Sequence, residues 1–227
     1  MNDHKGHRQR LKNRFLKDGI DSFADHEVLE LLLFYGISRT NTNVIAHRLV
    51  ERFGDLDGVL NADVSELSKV EGIGDHSAAL IKLAAAIAGR YIMKRANENG
   101  MLFEVSRMGD YFVGRFFGES SEKLYLLLLD AKGRLVSEHC ILEGSINSVG
   151  APINLIVSKA IKSNSSNVVL AHNHPSGTVR PIDQDRDTTA RLKYLLEQSG
   201  IKLVEHFVIS GTLYCPIINS EIYQKEI

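Results

Sequence analysis

The chain has 227 residues, 44% of them hydrophobic and 24% charged, which is ordinary globular usage and excludes a wholly disordered, collagen-like or coiled-coil protein. Its 27 basic and 28 acidic side chains nearly cancel, which argues against a protein that wraps nucleic acid over its whole surface. Two cysteines cannot build a disulfide framework, and no apolar run approaches the roughly 18 residues of a membrane span, so we expect a cytoplasmic protein with no membrane partner.

The first predicted element is a basic arm over residues 1–17, in which six basic side chains face one acid, Asp3. One interpretation is a solvated first helix. The other is an edge that contacts phosphate groups. The basic residues are Lys5, Arg8, Arg10, Lys12, Arg14 and Lys17.

The next part of the chain, from Asp25 to Arg95, is predicted to be a bundle of short helices. Apolar residues recur there at helical spacing in five groups, the first of which follows a capping residue, Asp25. The connections are short and contain glycine. The groups centre on Val28–Phe34, Val44–Val50, Leu56–Leu60, Val64–Val70 and Leu80–Ala86.

Two glycines between the fourth and fifth groups form a motif of their own. Gly72 and Gly74 permit a tight turn that exposes backbone N–H groups before a helix, which is a favourable arrangement for binding phosphate. The segment Val70–Ile81 resembles a helix-hairpin-helix of DNA repair proteins, and that resemblance implies DNA contacts by Gly72, Gly74 and Lys82. The alternative is a packing module, since Asp75 and nearby acids repel phosphate.

A polar stretch around Lys94–Gly100 predicts a linker, which divides the chain into residues 1–97, a linker 98–105 and a second domain 106–227. The pattern then alternates between apolar runs typical of strands and amphipathic runs typical of helices, which predicts a sheet with helices packed on it. Predicted strands are 124–130, 135–142, 167–171, 203–210 and 213–217, and predicted helices are 153–162 and 183–199.

The third predicted strand leads into a candidate metal site. His172 and His174 are two residues apart on extended backbone, so their side chains point the same way. Asp185 lies in the first turn of the following helix, where it faces back towards this loop. Two imidazoles and a carboxylate are three protein ligands, which leave the fourth tetrahedral position of a hydrolytic zinc site for water.

The spacing His172-x-His174-Pro, with Asp185 eleven residues after the second histidine, resembles the metal motif of the JAB/MPN (JAMM) metallopeptidases. The longer string His-Asn-His-Pro-Ser-Gly, preceded by Gly144-Ser-Ile-Asn-Ser148, resembles the RadC branch of that family. The resemblance implies an N-terminal helical helix-hairpin-helix domain and a C-terminal three-layer α/β domain whose mixed sheet is cytidine-deaminase-like. It also implies one Zn²⁺ per chain.

The same resemblance implies a glutamate general base near the first strand of the hairpin. The residue at that position is Glu122, while Glu138 and Glu143 on the return strand are the alternatives. Chemically, the role requires a carboxylate that takes a proton from water and returns it to a leaving nitrogen.

Two further residues bear on the chemistry. The resemblance places a serine that stabilises the oxyanion three residues before the aspartate, but this chain has Ile182 there, so Thr178 or Ser176 would have to substitute. His206 is predicted to be a packed or hydrogen-bonded histidine rather than a fourth ligand, and contact with one of the metal ligands is the alternative.

The first functional hypothesis is therefore a zinc metallohydrolase that cleaves a peptide or isopeptide bond in a protein or peptide substrate, in a DNA-repair context. The alternative is a DNA-associated binding protein whose N-terminal domain contacts DNA and whose zinc domain is not catalytic. A third hypothesis combines the two, with DNA binding bringing the peptidase to its substrate.

Overall fold

The computed structural model describes residues 3–38, 40–98, 100, 102, 104–144, 152–175, 177–219 and 223–224. The chain divides into two compact units, Met1–Ile87 and Ala88–Ile227. This division lies before the predicted linker, within a long helix.

The first unit is helical, as the sequence predicts. None of the helices in the described parts of the chain is both long and apolar enough to cross a bilayer. The helices are α1 (Asp3–Asp18), α2 (Asp25–Leu33), α3 (Thr42–Phe53), α4 (Leu56–Asn61), α5 (Val64–Leu67) and α6 (Asp75–Ala96), the last of which runs beyond Ile87.

The core of this unit is built from the apolar faces of α2, α3 and the shorter helices, with fully buried leucines such as Leu29 and Leu49. Its turn before α6 requires glycine at position 72, where φ is 97° and a Cβ would lie 2.6 Å from Ile45 Cδ1. The turn therefore packs tightly against α3. The finer assignment of a helix-hairpin-helix stays a prediction.

The second unit contains a mixed sheet with helices, as the sequence also predicts. Its helices are α7 (Val105–Phe116), α8 (Ile153–Lys162) and α9 (Asp183–Gln198). Its strands are β1 (Lys123–Leu129), β2 (Leu135–Glu143), β3 (Asn167–Asn173), β4 (Lys202–Ser210), β5 (Leu213–Pro216) and β6 (Tyr223–Gln224).

The strands form one sheet in the order β2-β1-β3-β4-β5-β6. Strand β3 pairs antiparallel with β1 and parallel with β4, and the other neighbours are antiparallel. Because β3 is central and carries the predicted metal ligands at its carboxyl end, strands on both sides hold it in place. The likeness of this sheet to that of cytidine deaminases stays a prediction.

Helices cover both faces of the sheet. Alternate residues of β1 point to opposite sides, so that Tyr125 packs with α7, whereas Leu124 and Leu126 pack with α8 and α9. His172 pairs in register with Leu124 and follows Leu170 by two residues, so it lies on the face covered by α8 and α9. The candidate metal site therefore lies on this face of the sheet.

Helix α7 is not among the elements predicted from the sequence. Its residues Met108, Phe112 and Phe116 are spaced for one helical face and are buried against the sheet. Helix α6 also runs to Ala96, into the stretch predicted as a linker, because Ala96 is buried in the same cluster. Burial of the apolar side chains outweighs the polar character of the local sequence.

Strand β4 contains a fully buried carboxylate, Glu205, which ties down the segment after β5. It accepts hydrogen bonds from the backbone N–H of His206 (2.8 Å) and of Ile218 (2.9 Å), and from the side-chain amide of Asn219 (2.9 Å). Burial raises the pKa of Glu205, although these donors partly oppose the rise.

We expect Glu205→Ala to lower the free energy of unfolding by about 1–3 kcal/mol, because the buried N–H of His206 loses its acceptor and the more exposed donors of Ile218 and Asn219 can turn to water. Glu205→Gln, which keeps an acceptor oxygen, should lose less. Urea unfolding at neutral pH measures both, with the exposed Glu197→Ala as the matched control. A loss in Glu205→Ala as small as that of the control would contradict this structural role.

Candidate metal centre

Three side chains at the carboxyl end of β3 converge on one point. His172 Nε2 lies 3.0 Å from His174 Nε2 and 3.3 Å from Asp185 Oδ1. One ligand atom from each residue lies within 4.8 Å of the other two. His172 and Asp185 are buried and His174 is half-buried, so the group is largely shielded from bulk water.

Local backbone structure explains this convergence. The N–H of His174 donates to the carbonyl of Ile209 (2.8 Å), which extends the pairing of β3 with β4 past the strand's end. The chain then turns back, and α9 begins with Ile182 at its N-cap. The N–H of Ile182 donates to Asp185 Oδ2 (2.9 Å), so Oδ1 of the same carboxylate faces His172.

The protonation of His174 follows from its partner. His174 Nδ1 lies 2.9 Å from the carbonyl oxygen of Thr178, which can only accept, so Nδ1 carries the proton and donates it. Burial lowers the pKa of His174, and the bond to Thr178 and the charges of Asp185 and Glu122 oppose the fall. The imidazole is therefore neutral near pH 7, with a lone pair on Nε2.

The protonation of His172 follows from a chain of hydrogen bonds. The Thr189 hydroxyl donates to the carbonyl of Asp185 (2.6 Å), so it must accept at its second contact, His206 Nδ1 (2.7 Å). Burial places the pKa of His206 well below its usual value, so this imidazole is neutral and its Nε2 accepts. His172 Nδ1, 3.0 Å away, is the donor, which leaves the lone pair of His172 on Nε2.

The resulting donor set fits a metal ion. Two imidazole lone pairs and a carboxylate oxygen face one another at short distance, and such groups repel unless a cation or a proton lies between them. The N–H of Ile182 donates to the other oxygen of Asp185 and so favours its charged form, which makes Asp185 available as an anion. Two nitrogens and one oxygen are the ligands that zinc prefers.

Glu122 lies directly before β1, half-buried, at the edge of this site. It precedes Leu124, which pairs with His172, by two residues, so it belongs to the same face of the sheet. Asn173 holds the backbone on both sides of it: the Asn173 side chain accepts from the N–H of Lys123 (2.7 Å) and donates to the carbonyl of Ser121 (3.0 Å). Asn173, which lies between the two candidate ligands, thus fixes the backbone around the candidate base.

The two alternative glutamates have other roles. Glu138 accepts hydrogen bonds from Tyr111 and Arg115, and it pairs in register with Leu127 on the face covered by α7. The sheet therefore separates Glu138 from His172. Glu143 is exposed and forms an ion pair with Lys123 (3.2 Å). Of the three glutamates, Glu122 is the one whose charge bears on His174, and its role as base stays a prediction.

The oxyanion donor expected beside the metal is missing from position 182. The Ile182 side chain is exposed and has no polar group that could donate a hydrogen bond. The hydroxyl of Thr178 accepts a long bond from the N–H of Arg180 (3.4 Å) and so retains its own proton. Ser176 and the string Ser145–Ser148 lie outside the described residues.

The predicted DNA contacts lie in the helical unit, where they have protein partners. The N–H of Gly74 donates to the hydroxyl of Ser77 (3.0 Å), and the ammonium of Lys82 donates to the carbonyl of Leu60 (3.0 Å). Gly72 packs against α3. Phosphate binding at these positions would have to replace existing bonds, and it stays a prediction.

Basic side chains of α1 also have partners within the chain. Arg8 donates to the carbonyls of Ile37 (3.1 Å) and Thr40 (3.0 Å) and stacks over Phe34. Arg14 forms an ion pair with Glu27 (2.6 Å). Helix α1 is therefore less solvated than the first interpretation expects, and the phosphate-contacting edge stays a prediction.

The sequence does not indicate the contacts of Asn173 and Thr189, and it does not show that His172 is the ligand that His206 contacts. His206 is the buried, hydrogen-bonded histidine that the sequence predicts. The sequence feature that indicates its burial is its position in the predicted strand 203–210. The pairing of β4 beside β3, which brings the two histidines together, cannot be derived from residue spacing.

Comparison with known proteins covers nearly the whole chain. Residues 103–221 match the family described as RadC-like JAB domain, and residues 4–79 match the family described as UPF0758 N-terminal. A UPF0758 protein of Fusobacterium nucleatum is 31% identical over 220 residues, which are 93% of this chain and 94% of that protein. A UPF0758 protein of Ruegeria pomeroyi is 31% identical over 209 residues, which are 92% of this chain and 93% of that protein.

Proposed function

This chain belongs to the RadC-like JAB-domain family, and from that premise we propose that it is a zinc-dependent hydrolase that cleaves a peptide or isopeptide bond in a protein or peptide substrate. The observation that carries the proposal is the donor set at the end of β3. His172 Nε2, His174 Nε2 and Asp185 Oδ1 present lone pairs to one point, and neighbouring acceptors fix both imidazole tautomers.

The three ligands would hold the ion and leave its fourth position for water, and the half-buried His174 is the ligand that is partly accessible to solvent. When bound, zinc would supply a Lewis acid that makes water acidic near neutral pH and polarises an acyl carbonyl. A site with three protein ligands and an open position is typical of catalytic zinc, whereas structural zinc is usually enclosed by four.

Glu122 is the residue that we propose to move protons. Its carboxylate would take a proton from the attacking water and return it to the amine nitrogen as the peptide bond breaks. Asn173 would keep Glu122 in place through the backbone of Ser121 and Lys123, so that the carboxylate faces the ligand side of the sheet.

Ile182 bears on the rate of this reaction. Loss of one donor to an oxyanion typically costs about 10²–10³-fold in rate, and Ile182 offers none through its side chain. We therefore expect slow peptide cleavage if no side chain replaces the missing serine, and faster cleavage if the Thr178 hydroxyl donates to the oxyanion. Neither residue contributes a ligand atom, so zinc binding does not depend on this difference.

The test uses the full chain with its metal removed and restored. We expect a chelator to abolish cleavage of a mixed pool of peptides and isopeptide-linked peptides, and about one equivalent of added zinc to restore it, with products identified by mass spectrometry. Addition of magnesium is the control, because the ligand set of two imidazoles suits zinc and not magnesium. Cleavage that persists after complete zinc removal would contradict the proposal.

A further inference from the structure

We propose that His206 is a positioning residue for the metal: together with Thr189 it holds His172 in the tautomer that leaves Nε2 free to bind the ion. His206 itself lies behind His172 and contributes no atom to the group that could hold the ion. The inference deepens the proposed function and rests on it, since it concerns how the same site binds zinc.

The direction of each hydrogen bond in the relay is determined by its last member. The carbonyl of Asp185 can only accept, so it takes the single proton of the Thr189 hydroxyl at 2.6 Å. That hydroxyl can then only accept from His206 Nδ1 at 2.7 Å. His206 is buried, and its ring nitrogens contact a hydroxyl and an imidazole rather than a carboxylate, so it holds a single proton and accepts through Nε2. The relay therefore ends with His172 Nδ1 as donor.

The opposite arrangement would block the metal. If His172 carried its proton on Nε2, that proton would point at His174 Nε2, 3.0 Å away, into the place of the ion. Its Nδ1 lone pair would then face the lone pair of His206 Nε2 in a buried site. The relay disfavours this tautomer in the metal-free protein. Zinc binding therefore does not have to supply the free energy of moving the His172 proton from Nε2 to Nδ1.

The relay also connects two of the three ligands. Thr189 accepts from His206 on one side and donates to the backbone of Asp185 on the other, one helical turn before it in α9. All four residues of the relay are buried. One pair of residues thus holds both the ring of His172 in β3 and the helix start that carries Asp185.

The first experiment measures zinc affinity by competition with a chromophoric chelator in full-length variants. His206→Phe keeps the ring's bulk but removes the acceptor for His172, and we expect a loss of about 10–100-fold in zinc affinity. His206→Gln, which restores an acceptor oxygen and a donor, should recover most of that loss. Thr189→Val leaves His206 in place but frees its tautomer, so its loss should be smaller than that of His206→Phe.

A second readout reports the hydrogen bond itself. In the zinc-loaded parent, the Nδ1 proton of His172 should appear in imidazole ¹H–¹⁵N spectra as a downfield signal that exchanges slowly with water. His206→Phe should shift this signal upfield and speed its exchange. Phe207→Leu is the control: Phe207 is buried on the opposite face of β4, so its loss should lower stability but change neither zinc affinity nor this signal.

The outcomes separate this inference from the proposed function. A parent that binds no zinc contradicts both. A parent that binds one zinc, with His206→Phe binding equally well and the His172 signal unchanged, overturns the inference and leaves the proposed function standing. If His206→Phe does not fold, Thr189→Val decides by the same two measurements, and its parent-like affinity and signal would overturn the relay.

Discussion

Replacement of His174 by alanine should reduce the zinc content of the purified protein from about one ion per chain to less than about a tenth. His174 Nε2 is one of three ligand atoms, and it lies 3.0 Å from His172 Nε2. With two protein ligands left, water takes the place of the lost imidazole. Zinc is then bound too weakly to stay on the protein in the presence of water and buffer.

Elemental analysis after dialysis measures this change directly. His76→Ala is the matched control, since His76 is an exposed histidine at the start of α6 in the other unit, and it should leave the zinc content unchanged. Thermal unfolding adds a second readout: zinc should raise the melting temperature of the parent and of His76→Ala but not that of His174→Ala. Equal zinc in all three proteins would show that this ligand assignment is wrong.

Replacement of Glu122 by glutamine should lower the rate of peptide cleavage by about 10²–10⁴-fold, the usual contribution of a general acid–base. Glutamine has the same shape but cannot take a proton from water near neutral pH. The zinc content should stay at about one per chain, because Glu122 lies outside the ligand group. The bonds from Asn173 should also persist, since they reach the backbone of Ser121 and Lys123 rather than the side chain of Glu122.

Glu143→Gln is the control for this prediction. Glu143 faces Lys123 across the neighbouring strand pair, is exposed, and is one of the alternative bases considered from the sequence. Its replacement should change the rate by no more than about twofold, as for other exposed ion pairs. If Glu122→Gln kept both its zinc and the parental rate while Glu143→Gln lost activity, the base would be Glu143.

The two substitutions together distinguish binding from chemistry. His174→Ala should lose both zinc and cleavage, whereas Glu122→Gln should lose cleavage alone. If the zinc domain served only as a scaffold, His174→Ala would still lose zinc, but the parent protein would show no cleavage. That pattern would return attention to the helical unit and to the alternative hypothesis of a DNA-associated binding protein.

Much of the candidate site could be predicted from the sequence because its ligands are local. His172 and His174 are neighbours on one strand, and the helix that carries Asp185 begins shortly afterwards, so residue spacing alone places the three side chains near one another. Strands β1 to β5 and helices α8 and α9 of the second unit are predictable for a similar reason. Their apolar residues follow the periods of a strand or a helix within short windows.

Other features depended on which distant elements pack together. Helix α7 was missed because its apolar face is recognisable only beside the sheet that buries it. The basic arm could not be interpreted from its charge, since the partners of Arg8 and Arg14 lie on α2 and in the segment that follows it. Likewise, three glutamates near the hairpin looked similar in the sequence, and only the faces of the sheet separate Glu138 from the site.

Residue types and their spacing are enough to predict the two kinds of unit, the order of most elements and the candidate ligands, because these depend on side-chain chemistry and on local periodicity. The protonation of those candidate ligands depends instead on residues that are distant in the chain and close in space. The tautomer of His172 depends on His206, and that of His206 on Thr189, which are brought together by the parallel pairing of β3 with β4 and by the packing of α9. Hydrogen-bond direction is a property of such three-dimensional neighbours, and no periodicity in the chain encodes it.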